Sequence, residues 1–300
     1  MNKKVLITGA SGLLGRSILK RFKEEKVETI GLALRRKSQE FKTLDLTIRS
    51  EIQNFITEYR PHYIIHCAAE KSPDICQNDP DRVKKINVNA TQYIADLSLL
   101  YGAKLIFIST DYVFDGSKPP YQVDDTPNPI NAYGLSKRAG ESMILKIDPS
   151  AIILRVPVLF GPVESLEESA VTTIFSAVLG EKNVNNDHWA IRYPTFTPDI
   201  ADVLFKIVSR PKEQQLKGLY HFSGSEAFTK YEMAMIMAKI FNLPCRHLKP
   251  DSSPPTGAPR PHDCHLDNTA LKELIDLQQT NFRSAIKQVL QPFLKNNARI

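Results

Sequence analysis

Tyr133 and Lys137 stand four residues apart in Tyr133-Gly134-Leu135-Ser136-Lys137, so a helix through them puts both on one face. A phenol at its ordinary pKa of about 10 is a weak acid–base group. A lysine ammonium one turn away favours the phenolate, and is expected to lower that value. Tyr133 could then give a proton to a carbonyl oxygen as hydride arrives, or take one in reverse. Thr110, in Ser109-Thr110-Asp111 at the end of an apolar run, could hydrogen-bond the same oxygen. Tyr–x–x–x–Lys also arises by chance, so its weight comes from the residues around it.

Those residues begin at the N-terminus. Val5 to Thr8 reads as a strand, and glycines follow at 9, 12 and 15 as a helix opens at Leu13. Gly9 permits a tight strand-to-helix turn, Gly12 lets the backbone approach a pyrophosphate, and Gly15 lets the helix lie close on its strand. The free N–H groups and the positive end of the helix dipole favour a diphosphate. The second strand, about Thr29 to Leu34, ends in Arg35-Arg36-Lys37. An acid about 20 residues past such a turn would bind a ribose 2′-hydroxyl. Guanidiniums suit a 2′-phosphate instead, which predicts NADP(H) over NAD(H). A solvated basic turn is the alternative.

The elements that must position these groups alternate strand and helix five times through the first half. Helices are expected at Leu13 to Lys26, Arg49 to Tyr59 (stopped by Pro61), Pro80 to Tyr101 and Tyr133 to about Lys146. Strands are expected at Thr43 to Leu46, Tyr63 to Ala69 and Lys104 to Ile108. Continuous apolar runs such as Tyr63-Ile64-Ile65-His66-Cys67-Ala68-Ala69 suit parallel strands covered on both faces. The pattern predicts an α/β fold with a doubly wound parallel sheet, with ligands at the carboxyl ends of its strands. Asp45-Leu46 could meet an adenine, or Asp45 could be the acid that precedes a helix at Ile48. Lys71 could reach a phosphate or a substrate acid, or lie in solvent.

The alternation stops after Pro157. Residues 1–156 are expected to form the cofactor-binding domain, with return segments at about 195–224. Residues 157–300 mainly form a smaller substrate or partner domain. In that part Glu164 to Leu179, Ile200 to Val208 and Lys230 to Phe241 read as helices. Leu219 to Phe222 reads as a strand returning to the sheet. Pro250 to Pro261, with five prolines and one glycine, reads as an irregular crossing. His262-Asp263-Cys264-His265 lies on no single helical or strand face and has no second cluster at ligand spacing, so no metal is expected. The tail from Phe282 carries Arg283, Lys287, Lys295 and Arg299 without acids, and its apolar residues 286, 289, 290, 293 and 294 make an amphipathic helix. Lys295 to Ile300 reads as an unanchored end.

Composition narrows the classes. The 300 residues carry a net charge of +6 without a basic stripe, against nucleic-acid binding. Cysteines 67, 76, 245 and 264 are too scattered for a disulfide framework and fit a reducing cytoplasm. Met1 leads straight into the first strand. There is no signal-like segment and no apolar run of membrane-spanning length.

TGASGLLG, the HCAA strand end, STDYVFDG, YGLSK and LRVPVLFG resemble the extended short-chain dehydrogenase/reductases, which have a Rossmann fold. STDYVFDG followed by NAYGLSK resembles the dTDP-4-dehydrorhamnose reductases. HCAAEKSPD, LEESAVT, DHWAIRYPT, HFSGSEAFTKYEMA and PTGAPRP before HLD are similar to the regulatory β subunits of methionine adenosyltransferase, and together cover nearly the whole chain. The resemblance implies that Ser11, Gly12, Leu13 and Leu14 lie along the diphosphate, that Arg35 and Arg36 hold the 2′-phosphate, and that Asp45 and Leu46 meet the adenine. It implies Cys67 and Lys71 in the cofactor groove, Leu159 near the nicotinamide, and Thr110, Tyr133 and Lys137 as the reductase triad, with Lys137 also on the nicotinamide ribose. It leaves two functions. One is an NADP(H)-binding regulator of methionine adenosyltransferase in S-adenosylmethionine synthesis, whose tail docks on the catalytic subunit. The other is an NADPH-dependent reductase of a 4-keto sugar nucleotide. Such reductases often dimerise through helices, but no face for a homodimer stands out in the sequence.

Overall fold

The structure is a computed structural model that describes residues 3–36 and 40–297, with side chains described to residue 294; Lys37 and the tail end at 298–300 lie outside them. The first half runs β1 (Lys4–Thr8), α1 (Leu13–Glu24), β2 (Glu28–Ala33), β3 (Phe41–Thr43), α2 (Arg49–Tyr59), β4 (Tyr63–His66), α3 (Pro73–Asn78), α4 (Pro80–Val83), a π turn (Lys84–Asn89), α5 (Ala90–Leu100), β5 (Lys104–Thr110), α6 (Ala132–Ile147) and β6 (Ile152–Val156). The second half adds β7 (Leu159–Phe160), α7 (Ile174–Leu179), β8 (Val184–Asp187), β9 (Thr195–Phe196), α8 (Thr197–Ser209), β10 (Gly218–His221), α9 (Lys230–Phe241), β11 (Leu248–Asp251), α10 (Thr269–Lys272) and α11 (Phe282–Asn297).

Seven parallel strands form one sheet in the order β10-β6-β5-β4-β1-β2-β3. Each crossover helix must cover a sheet face, so the strands are apolar on both sides: Val5, Leu6 and Ile7 are fully buried, as are Ile64, Ile65, Ile106 and Phe107. One face packs on α1 and α8, where Phe22 meets Phe205 edge-on at 5.8 Å. The other packs on α2, α5 and α6. The strand order reverses between β1 and β4, which opens a crevice beyond their carboxyl ends. A second core lies outside the sheet, where α7, α9 and α11 bury Phe175, Met233, Met237, Phe282, Ile286 and Leu290.

Several expectations change here. The helix foreseen over 164–179 is a short 3-10 turn (Leu166–Glu168), a loop and α7. The hydroxyls of Thr172 and Thr173 bond back to the carbonyls of Leu166 and Ser169, an alternative to helix that these residues offer the backbone. The long helix foreseen over 80–101 is α4, the π turn and α5. In the π turn Asn87 bonds both backbone groups of Glu70 and the Ser136 hydroxyl, so the widened turn serves the site. The strand foreseen over 43–46 is β3, which ends at Thr43. Pro250, placed in an irregular crossing, lies in β11, paired with β8 alone. The tail's apolar residues are engaged within the chain. Ile286, Val289 and Leu290 are buried in the second core, with Phe293 and Leu294 packed on it. Among the described residues no helix is long and apolar enough to cross a membrane.

Candidate functional site

The glycine turn closes as its spacing demands. Gly9 has φ +65°, and a Cβ there would stand 2.8 Å from the Ala68 nitrogen. A Cβ on Gly15 would stand 2.4 Å from the Gly9 carbonyl oxygen, so only glycine lets α1 lie this close. Gly12 caps α1, whose first turn has no acid, leaving its N-terminal N–H groups and dipole open to an anion. Leu13 and Leu14 point into the protein, so only their backbone can face a diphosphate. Ser11 stays half-buried at the lip.

Ser11, Leu34, Arg35, Arg36, Arg82 and Ile86 line a cavity of about 500 Å³ beyond β2. A dinucleotide's adenosine end fits its position and its charge. Arg35 is exposed, while Arg36 pairs with Glu164 and donates to the Ser11 carbonyl at 3.4 Å. The Asp45 carboxylate accepts from the Thr47 N–H and hydroxyl, both at 2.8 Å, in the stretch between β3 and α2. Leu46 packs on the core beneath the sheet. Cys67, half-buried at the end of β4, has its thiol pushed up to about 12 by burial and stays protonated at neutral pH. Lys71 donates to the Glu168 carbonyl at 2.9 Å, which ties it to a neighbouring loop. Leu159 lies in β7 against Thr195.

Thr110 and Tyr133 meet at the carboxyl end of β5, and Lys137 reaches the same strand at Ile108. The Asn131 side chain caps α6 through the Gly134 N–H at 2.8 Å. A Cβ on Gly134 would stand 2.1 Å from the Tyr112 carbonyl oxygen, so glycine beside Tyr133 lets α6 sit against the segment after β5. Lys137 is buried; its ammonium donates to the Ile108 carbonyl at 2.7 Å and lies 3.8 Å from the centre of the Phe107 ring. Burial lowers its pKa to about 7, against the attraction of Glu141. The expected lowering of Tyr133 by Lys137 does not hold. Burial raises the phenol above its ordinary value, the Thr110 hydroxyl pulls it back only in part, and the Lys137 ammonium is turned to the Ile108 carbonyl. Tyr133 is therefore a protonated donor at neutral pH. Asp111 accepts from the Thr110 hydroxyl at 3.0 Å, and burial lifts its carboxyl to about 7.

Sequence reading missed a supporting layer. Glu141, one turn beyond Lys137, accepts from Ser109 at 2.6 Å and from Arg155 at 2.8 and 2.7 Å. Lys137 and Glu141 thus latch α6 to Ile108 and Ser109, the two residues before Thr110. Their i, i+4 spacing on α6 was the available signal. Arg82 and Glu164 were also missed. His262, Cys264 and His265 turn to separate partners, Trp189, the Phe114 carbonyl and Tyr193.

Methionine adenosyltransferase 2 subunit beta of Bos taurus is 45% identical over 98% of this chain and 89% of its own length. A dTDP-4-dehydrorhamnose reductase of Aggregatibacter actinomycetemcomitans is 30% identical over 95% of this chain and 98% of its own length. Among solved structures, dTDP-4-dehydrorhamnose reductase from Bacillus anthracis in complex with NADP superposes with a TM-score of 0.85 at 29% identity, over 97% of this chain and 99% of that one. The RmlD substrate binding domain matches residues 3–295, and the chain belongs to that family of Rossmann-like, extended short-chain dehydrogenase/reductase proteins.

Proposed function

We propose that this chain is an NADP(H)-binding regulatory subunit of methionine adenosyltransferase, active in S-adenosylmethionine synthesis. The observation that carries the reading is 45% identity to a methionine adenosyltransferase β subunit along 98% of the chain, against 30% for a dTDP-4-dehydrorhamnose reductase. In this reading residues 1–156, with the return segments at 195–224, hold the cofactor. Residues 157–300 face the catalytic subunit, and the C-terminal tail is the docking element. The glycine turn would take the diphosphate, and Arg35 and Arg36 the 2′-phosphate.

A second reading, an NADPH-dependent 4-keto sugar nucleotide reductase, is favoured by one observation, the convergence of Thr110, Tyr133 and Lys137. A bound reduced nicotinamide supplies hydride. Tyr133, held protonated by burial, would give its proton to the substrate carbonyl oxygen while Thr110 hydrogen-bonds that oxygen. Lys137 would hold the nicotinamide ribose.

Copurification with a methionine adenosyltransferase catalytic subunit, followed by that enzyme's kinetics, tests the first reading. A stable complex with altered kinetics, unchanged by Tyr133→Phe, is expected. NADPH oxidation with dTDP-4-dehydrorhamnose, lost in Tyr133→Phe and accompanied by no complex, would replace it with the second.

A further inference from the structure

The loop between β7 and α7 crosses the cofactor cleft as a strap. Glu164 pairs with Arg36, and its carboxylate also lies 3.9 Å from the Arg16 guanidinium. Glu168 pairs with Arg16, and its carbonyl takes the Lys71 ammonium at 2.9 Å. On their other side both guanidiniums hold the glycine turn: Arg16 donates to the Ser11 carbonyl at 2.8 Å and Arg36 to the same oxygen at 3.4 Å. The strap's far end is fixed to the second half of the chain. Ser169 donates to the Leu159 carbonyl at 2.7 Å, while Val163 and Leu166 pack on the second core. Arg36 therefore stands between the predicted phosphate position and a carboxylate that belongs to another part of the molecule.

We propose that Glu164 is a specificity-determining residue of the cofactor site, which competes with a cofactor 2′-phosphate for Arg36 and so couples that phosphate to the position of the strap. The inference rests on Arg36 as the phosphate ligand, the reading given above. One guanidinium fork cannot serve a carboxylate and a phosphate bidentately at once, and the two anions repel each other at this range. The side chains are 39% and 56% exposed, so the Arg36–Glu164 pair is weak and easily exchanged. A 2′-phosphate, with more charge and three acceptor oxygens, displaces Glu164. A cofactor with a free 2′-hydroxyl leaves the pair closed. The Arg16–Glu168 and Lys71–Glu168 contacts hold the Glu168 end of the strap near the turn in both cases, so the release starts at Glu164 and loosens the stretch before Glu168. Affinity for the phosphorylated cofactor is thereby reduced, and its arrival is reported to the segment that packs on α7, α9 and α11.

The test is a double-mutant cycle on the full chain, with NADPH and NADH affinities read by cofactor fluorescence for the wild type, Glu164→Gln, Arg36→Gln and the double variant. Glu164→Gln is expected to tighten NADPH about 2–5-fold and to leave NADH unchanged. In the Arg36→Gln background the same change is expected to do nothing. If Arg36→Gln abolishes the preference for NADPH while Glu164→Gln leaves both affinities unmoved, the competition is wrong and the phosphate reading survives. If Arg36→Gln leaves the preference intact, the phosphate reading fails and takes the inference with it. Amide exchange over 163–169 should be faster with NADPH than with NADH; equal rates would overturn the coupling.

Discussion

Arg155 and Glu141 meet where neither side chain is more than 1% exposed, whereas Arg36 and Glu164 meet with 39% and 56% of their surfaces in water. The ions are the same and the surroundings differ. The inner pair is completed on every side. Glu141 takes hydrogen bonds from Ser109 and from two guanidinium nitrogens, and Arg155 also lies 5.0 Å from the Phe114 ring and 3.3 Å from His221 Nε2. Water cannot replace any of these partners, so the pair fixes where β5 ends. The outer pair has water as a ready substitute, so a ligand can exchange it. A buried pair is a strut, and an exposed one at a ligand site is a latch.

The largest effect should come from breaking the strut. Glu141→Ala leaves Arg155 charged, buried and unpaired, and should cost about 3–5 kcal/mol by denaturant unfolding. The double change Glu141→Leu with Arg155→Met should recover much of that loss, because an apolar pair of similar volume carries no desolvation penalty. If Glu141→Ala cost under about 1 kcal/mol, the difference between the two pairs would vanish.

Two buried histidines, His221 beside the strut and His66 two strands away, sharpen the contrast through pH. Burial, helped by the Lys137 charge, holds His66 at about 3 against an ordinary 6.5. Burial, helped by Arg155, holds His221 at about 3 as well. Both are neutral in the folded chain at pH 5 and charged in the unfolded one. Their stabilising contribution is full above pH 6.5 and is lost as pH falls toward 3. Each should add about 1.4 kcal/mol per pH unit to the slope of stability in that window. Denaturant midpoints between pH 6.5 and 4 should therefore fall less steeply in His66→Gln, by one histidine's share, and an identical slope would contradict it.

The two regions also differ in how well the sequence discloses them. The glycine turn and the Tyr133–Lys137 pair are local, since backbone sterics and helical periodicity act over a few residues. Glycines 9, 12 and 15 and the helix from Ala132 therefore fall where the spacing puts them. Arg36 is legible as a basic residue at a strand end, but its partner Glu164 is set by how a distant loop returns over the cleft. The sequence around 164–173 reads as helical by its acids and apolar residues. Its serine and threonine hydroxyls turn it into a strap instead. The direction of the Tyr133 shift escaped for a similar reason. Spacing shows that a lysine is near, while burial and the Ile108 carbonyl decide which effect wins.

The smallest effect concerns the latch itself. Two exposed side chains gain little Coulomb energy in water and lose rotamer freedom on pairing, so the Arg36–Glu164 contact should be worth about 0–1 kcal/mol. Glu164→Gln should shift the unfolding free energy by no more than that, and 1 M salt should erase the shift, because screening at that strength acts over about 3 Å. Denaturant titrations at low and high salt measure both. A loss of about 3 kcal/mol, insensitive to salt, would mean that Glu164 is held as firmly as Glu141. A contact of that strength would resist a phosphate, and the division between strut and latch would fail at the position proposed to take the 2′-phosphate.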